Sequence, residues 1–200
     1  MQNVVATVTP RGQARGQIRE PSTFDALLPA VRDGAPWAWQ YLYERLAPAV
    51  AGYLRAQGAR EVDDLTSETF LGVVRGIRRF TGDEAQLRSW VFVIAHRRLQ
   101  DERRRRATRP DPLPLEDVPP SPSGDAESEA LHRLATARVR AVCARLAPDQ
   151  RDVLLLRLVA DLTVDQIAQV LGKTPGAVKA LQRRGFEAVR RTLEREGVPL

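Results

Sequence analysis

The sequence is poor in cysteine, in lysine and in long apolar runs. Cys143 is the one cysteine among 200 residues. It excludes a disulfide within the chain, and with His96 and His132 distant from it in sequence no cysteine-based zinc site is expected. No apolar run approaches the roughly 20 residues of a membrane span. The N-terminal arginines are not followed by an apolar block, so the pattern of a signal peptide is missing. These absences point to a soluble protein of a reducing compartment, most simply the cytoplasm. Lys173 and Lys179 are the only lysines, and arginine carries the rest of the positive charge. Codon bias explains that preference as readily as phosphate recognition does. The formal charge of +6 and the pI near 10.3 favour a polyanionic partner.

What is present is clearest in Leu162–Arg191. Thr163 can cap a helix, and Gln166 three residues later completes a capping box. Ile167, Val170 and Leu171 give an apolar stripe at helical spacing. Gly172 ends that helix cheaply in a left-handed conformation. Thr174 can cap again, with Pro175 at the first helical position. Val178, Leu181, Val189 and Leu193 give the second helix a buried side. A short helix, a glycine turn and a longer helix bearing Lys179, Arg183, Arg184, Arg190 and Arg191 form a helix-turn-helix pattern suited to a major groove. A plain helical hairpin with a solvated basic face is the simpler reading, but the stop, cap and proline signals agree at each boundary.

The rest of the chain is helical in pattern. Residues 1–21 carry no helical stripe and are expected to be a disordered extension. Phe24, Leu27, Leu28 and Val31 predict a helix ended by Asp33-Gly34, with Pro29 bending it or delaying its start. Pro36 opens a second helix with Trp37, Tyr41 and Leu42 on one face, and Pro48 a third, stopping near Gly58. Glu61–Phe80 predicts a long helix with the stripe Phe70, Val73, Val74 and Ile77. Its acidic first turns suit the helix dipole. A magnesium site on Asp63, Asp64 and Glu68 lacks a phosphate-cradling loop. After the polar loop Thr81–Gln86, Leu87–Arg106 predicts a helix whose first half is apolar nearly all round. Its second half carries Arg97, Arg98 and Arg103–Arg106, which suit backbone phosphates. Six prolines and scattered acids then exclude helix and ladder, giving an acidic linker. Helices are expected again from Ala126 to Leu146 and from Ala147 to Asp161. The reading is an all-α chain of two small domains, 22–106 and 127–200, joined by a flexible linker at 107–126.

Two blocks in this order carry a resemblance. DDLTSETFLGVVRGIRRF (Asp63–Phe80) with RSWVFVIAHRRLQDERRRR (Arg88–Arg106), a proline-rich gap, and RDVLLLRLVADLTVDQIAQVLGKTPGAVKALQRR (Arg151–Arg184) resemble a bacterial RNA polymerase sigma factor of the extracytoplasmic-function type. The resemblance spans about Phe24–Leu193. It implies sigma domain two and sigma domain four, core RNA polymerase and promoter DNA as partners, an anti-sigma factor, a role in stress response, no cofactor and no enzymatic activity. It places Asp64, Leu65, Glu68 and Phe70 against the polymerase clamp. Arg79, Phe80 and Asp83 would lie in the loop that captures a flipped base of the minus-ten element, and Arg88, Trp90, Arg97, Arg98, Arg103 and Arg104 on the segment that holds the melted strand. Single strands are held by a basic track with stacking surfaces. Trp90 and Phe92 could stack on bases, yet core positions suit both better. By position Lys179, Ala180 and Arg183 would face base edges of the minus-thirty-five element, and Lys173, Thr174 and Arg184 phosphates. Gly185 departs from a good helix former and would allow close approach to a neighbouring helix.

Two other classes fit parts of the pattern. A dimeric repressor or activator needs a dimer interface and an effector pocket, of which the first domain gives little sign. A magnesium-dependent nucleic-acid enzyme needs a nucleophile and base, and none is recognisable.

Overall fold

The computed structural model describes residues 24–108 and 141–197. The expectations for residues 1–21, for most of the linker and for most of the helix from Ala126 lie outside those residues. Among the described residues the chain is all helical, without a strand.

Helix α1 is Phe24–Arg32 and α2 is Pro36–Ala56. Gly34, at φ 79°, turns the chain between them, and the Ala35 amide reaches back to the Ala30 carbonyl. The structure corrects the expectation of separate helices from Pro36 and Pro48, because α2 runs through Pro48. The ring removes one donor, and the carbonyl it would have served belongs to Glu44, an exposed residue, so water can satisfy it. Pro29 likewise sits inside α1 without delaying its start.

Helix α3 is Val62–Gly76, tightening into a 3-10 turn over Ile77–Arg79 where a single long helix was expected. Phe70, Val73 and Ile77 are buried as the stripe requires, but Val74 is 49% exposed. Helix α4 is Glu84–Thr108 and begins a turn earlier than expected. Asp83 and Gln86 explain this. The Asp83 carboxylate accepts from the Gln86 amide at 2.7 Å, and the Gln86 side chain accepts from the Asp83 amide at 2.9 Å. This reciprocal cap satisfies two otherwise orphaned donors.

The second unit begins in helical residues 141–144 and continues as α5 (Pro148–Leu158), α6 (Val164–Leu171) and α7 (Pro175–Arg195). Val153, Leu156, Leu162, Ile167 and Val178 are fully buried between these helices. Gly185 lies buried on α7 against α5. A Cβ built there would stand 2.9 Å from Leu154 Cδ1 and 3.0 Å from its Cγ, so the glycine does permit a close helix crossing.

Both units share one apolar core. It runs from Leu27 and Tyr53 through Val91, Phe92 and Leu99 of α4 into Leu156, Leu162 and Ile167. The middle of α4 is the wall between them, with Val91, Phe92, Ala95 and Leu99 fully buried.

Gly185→Ala tests the crossing. Helix propensity alone favours alanine by about 1 kcal/mol, whereas overpacking a filled core costs about 1–3 kcal/mol. The expected outcome is a net loss of stability in denaturant unfolding, of about 1 kcal/mol. A gain would show that Leu154 yields freely.

Candidate nucleic-acid interface

The helix-turn-helix is built by local chemistry. Thr163 Oγ1 accepts from the Gln166 amide at 3.3 Å while Gln166 Oε1 accepts from the Thr163 amide at 2.9 Å. Gly172 ends α6 at φ 63°, ψ 34°, and the next amide, of Lys173, returns to the Ala168 carbonyl at 2.9 Å. Thr174 caps α7 by accepting from the Ala177 amide at 3.2 Å, and Pro175 opens the helix. Each boundary therefore falls where the side chains dictate.

Burying Val178 and Leu181 against α6 turns the opposite side of α7 to solvent. Lys179, Arg183 and Arg184 are exposed there and Ala180 is half-buried. Arg183 lies 4.0 Å from Glu187, an exposed pairing that a phosphate or base edge can displace. Thr174 is exposed but already engaged as the cap, and Lys173 pairs with Asp149 at 2.9 Å.

The expected minus-ten residues fall into two groups. Arg79, Asp83, Arg97 and Arg104 are exposed; Arg104 pairs with Asp101 on its own helix, and Asp83 is the α4 cap. The others are held. Phe80 stacks on Trp90 with centroids 5.2 Å apart and planes 27° from parallel, and its carbonyl accepts from Arg32. Trp90 packs where a Cβ on Gly76 would lie 2.6 Å from its ring. Phe92 is fully buried, edge-on to Tyr53. Arg98 lies 3.8 Å from Glu68. Arg88 Nε donates to the Ala160 carbonyl at 2.6 Å, and Arg103 Nη2 donates to the Gln57 carbonyl and side-chain oxygen at 2.9 and 2.8 Å.

On α3, Asp64 is exposed and Glu68 partly so, whereas Leu65 and Phe70 are buried at 2% and 7% exposure. Phe70 packs against Tyr43 at 4.7 Å. The apolar surface this helix offers a partner is instead Leu71 and Val74, each about half exposed. Leu71 lies one turn beyond Glu68, a spacing readable in the sequence.

A buried polar group that sequence reasoning missed joins the two units. Gln57 Nε2 donates to Asp152 Oδ1 at 2.6 Å, both side chains being nearly inaccessible. Tyr53 Oη lies 2.8 Å from His96 Nδ1 and 3.4 Å from Gln57 Nε2. Burial raises the Tyr53 phenol well above its ordinary range, with the Asp152 carboxylate adding to the effect, so it keeps its proton and donates to His96. Burial lowers His96, and Arg103 lowers it further against the opposing pull of Asp152. Among the described residues no group of three or more His, Cys, Asp or Glu could hold a metal ion, and no helix is long and apolar enough to cross a membrane.

A capped short helix, a left-handed glycine and an exposed basic second helix define a helix-turn-helix protein. Its first unit narrows the class. The family model for sigma-70 region 2 matches residues 42–109, and that for sigma-70 region 4 matches residues 136–189. The chain is 32% identical over 174 residues to the ECF RNA polymerase sigma factor BldN of Streptomyces coelicolor, a match covering 84% of this chain and 64% of BldN. It is 28% identical over 186 residues to the ECF RNA polymerase sigma factor ShbA of Streptomyces griseus, covering 88% and 97%. A solved structure of CnrH in complex with the cytosolic domain of CnrY shares the fold, with a TM-score of 0.62, 24% identity, and 84% and 95% of the two chains covered. This chain belongs to the sigma-70 family, as a sigma factor of the extracytoplasmic-function type.

Two measurements test the interface. Lys179→Ala and Arg183→Ala are each expected to weaken promoter binding by about 1–3 kcal/mol and to relax preference at one upstream position. Equal loss on every sequence in a binding selection would mean contact with phosphate alone. For His96 the folded value lies below the unfolded one, so protonation favours unfolding. Its contribution is complete above about pH 6.5 and is lost as the pH falls below that. Melting temperatures between pH 7.5 and 5.5 should fall more steeply for the native chain than for His96→Gln; parallel curves would show that His96 does not titrate there.

Proposed function

We propose that this protein binds core RNA polymerase in the cytoplasm and directs it to promoters, recognising and melting their DNA without catalysing a reaction itself. The observation that carries the reading is the co-occurrence, in order, of a region 2 match and a region 4 match whose second helix is capped, exposed and basic. In this reading α7 enters the major groove of the minus-thirty-five element, with Lys179, Ala180 and Arg183 toward bases and Lys173, Thr174 and Arg184 toward phosphates. Lys173 exchanges Asp149 for a phosphate on binding.

The minus-ten element falls to the turn after α3 and to α4. Arg79, Phe80 and Asp83 receive a flipped base beside the Phe80–Trp90 stack, and Arg88, Arg97, Arg98, Arg103 and Arg104 follow the melted strand. Stacking on an aromatic is worth about 1–3 kcal/mol per base. Asp64 and Glu68, with Leu71 and Val74 beside them, dock the polymerase. Leu65 and Phe70 hold that helix in place from beneath. The two units are domains 22–106 and 127–200, joined by the linker at 107–126. An anti-sigma factor restrains the protein until a stress signal. Such a partner is seen in a solved structure of the same fold, the sigma factor RpoE of Bartonella quintana in complex with the anti-sigma factor NepR.

One helix-turn-helix reads a short site, and a free-standing repressor gains affinity by pairing two across a symmetric operator. Opening the duplex costs a few kcal/mol per unstacked base, which a small domain alone does not offset. Permanganate footprinting with protein alone, core polymerase alone and both together is therefore expected to show reactive thymines only with both, and Glu68→Lys to abolish them. Strong specific protection by the protein alone, unchanged by core polymerase, would remove the sigma reading and leave a free-standing regulator.

A further inference from the structure

The turn between α3 and α4 is tied down from outside the two helices that carry it. Phe80 leaves the 3-10 turn in an extended conformation, at φ −67° and ψ 132°. Arg32, at the end of α1 and 48 positions earlier, donates to its carbonyl through Nη2. That bond is made at the expense of the Arg32 Nε, which is buried without an acceptor. Orphaned buried N–H groups are rare, because burial strips them of water. The Phe80 ring lies on Trp90, which fills the space a Cβ of Gly76 would need. The far end of the loop is held by the reciprocal Asp83–Gln86 cap. Between the two anchors stands Gly82, at φ 152°. A Cβ there would lie 2.6 Å from Gln86 Oε1 and 3.0 Å from Phe80 Cζ.

We propose that Arg32 is a positioning residue for the minus-ten step: by holding the Phe80 carbonyl it keeps the loop in the shape that receives an unstacked base. The inference rests on the sigma reading of that loop. A carbonyl bonded to a guanidinium cannot swing with its peptide plane. The direction of the chain into Thr81 is then set, and the Phe80 ring stays on Trp90. A base that has left the duplex stack needs a site already built, since ordering a loop at the moment of capture subtracts from the binding. The planar guanidinium is suited to fixing a direction, and its charge beside the loop draws in the phosphates of the strand.

Two observations set this apart from a plain tie in the fold. Leu27, Leu28 and Val31 are buried and already anchor α1, so the helix does not need Arg32 to stay in place. The guanidinium also serves the loop while leaving its own Nε unsatisfied, a sacrifice that fold stability alone does not reward. Arg32 precedes residues 42–109, which the region 2 model matches, so minus-ten recognition draws on a helix outside that segment.

The test uses holoenzyme assembled with core polymerase and a promoter fragment on which the native chain gives permanganate-reactive thymines. Single-stranded oligonucleotides of its minus-ten element, each with one base removed, then measure capture. The native holoenzyme should lose about tenfold in affinity at one abasic position. Arg32→Ala and Arg32→Gln should each bind the intact strand about tenfold more weakly and lose less than about threefold further at that position. Their affinity for core polymerase and their melting temperatures should stay near native. Arg32→Lys, whose ammonium can still donate to the Phe80 carbonyl, should recover most of the discrimination. Full discrimination in Arg32→Ala and Arg32→Gln would overturn the proposal. So would parallel losses of core affinity and melting temperature, which a purely structural tie produces. Gly82→Ala is an independent arm should the Arg32 variants misfold. Its strained φ and its Cβ against Phe80 distort the same loop with Arg32 intact, so discrimination should fall; unchanged discrimination would overturn the proposal, because loop shape would not govern capture. A native holoenzyme with no reactive thymines on any member of a promoter library would instead overturn the sigma reading, and the inference with it.

Discussion

The structure depends on α4 being buried on several sides at once. Most surface helices have one apolar stripe and one solvated face. Here Val91, Phe92, Ala95 and Leu99 are all inaccessible, and α2, α3 and the second unit each cover part of them. A helix covered on several sides can be carried only by a chain that wraps it, and α1–α3 supply most of that wrapping. Its last turn, from Arg104 on, is exposed and accommodates the end of the arginine run. One helix thus joins an apolar anchor to a cationic arm, and the anchor fixes where the arm projects.

Burial of this kind forces polar groups to find partners, and Gln57, Tyr53, His96, Arg103 and Asp152 are the result. A carboxylate as inaccessible as Asp152 is costly unless it accepts hydrogen bonds. Its partner comes from the other unit, 95 positions earlier in the chain. Arg103 then sets which end of the Gln57 amide faces Asp152, so a residue on the basic arm governs a bond it does not itself make. The Glu102 Oε2 atom, buried without a partner beside this region, shows that the polar accounting is not closed everywhere.

The helix-turn-helix was legible residue by residue because its signals are local. Thr163 with Gln166, Gly172, and Thr174 with Pro175 act within four positions of themselves, and each appears in the structure in the expected role. The all-α class was legible from periodicity, and the sigma-70 family from the resemblance carried by Asp63–Phe80, Arg88–Arg106 and Arg151–Arg184 in that order. Pro48 was misread because a proline's cost depends on whether the orphaned carbonyl can reach water, which the fold decides. The early start of α4 was available in Asp83 and Gln86 but was passed over as loop. Leu65 and Phe70 came with Asp64 and Glu68 as one stretch of the resemblance, and which of the four reach the surface depends on the packing of α3, which buries Leu65 and Phe70. The Gln57–Asp152 bond had no local signature, since nothing in either neighbourhood specifies the other.

Gly185 sets an angle. At 3.6 residues per turn each position advances about 100° around the helix axis. Arg183, two positions before Gly185, projects about 160° from it, and Lys179, six positions before, about 120° from it on the same side, so the two stand about 40° apart. A contact that brings the α7 backbone close to Leu154 at residue 185 therefore aims both side chains outward as a fixed pair. The missing methyl works as a rotational stop. A larger residue there would roll α7 about its own axis and turn the reading side chains to a different bearing without altering either of them.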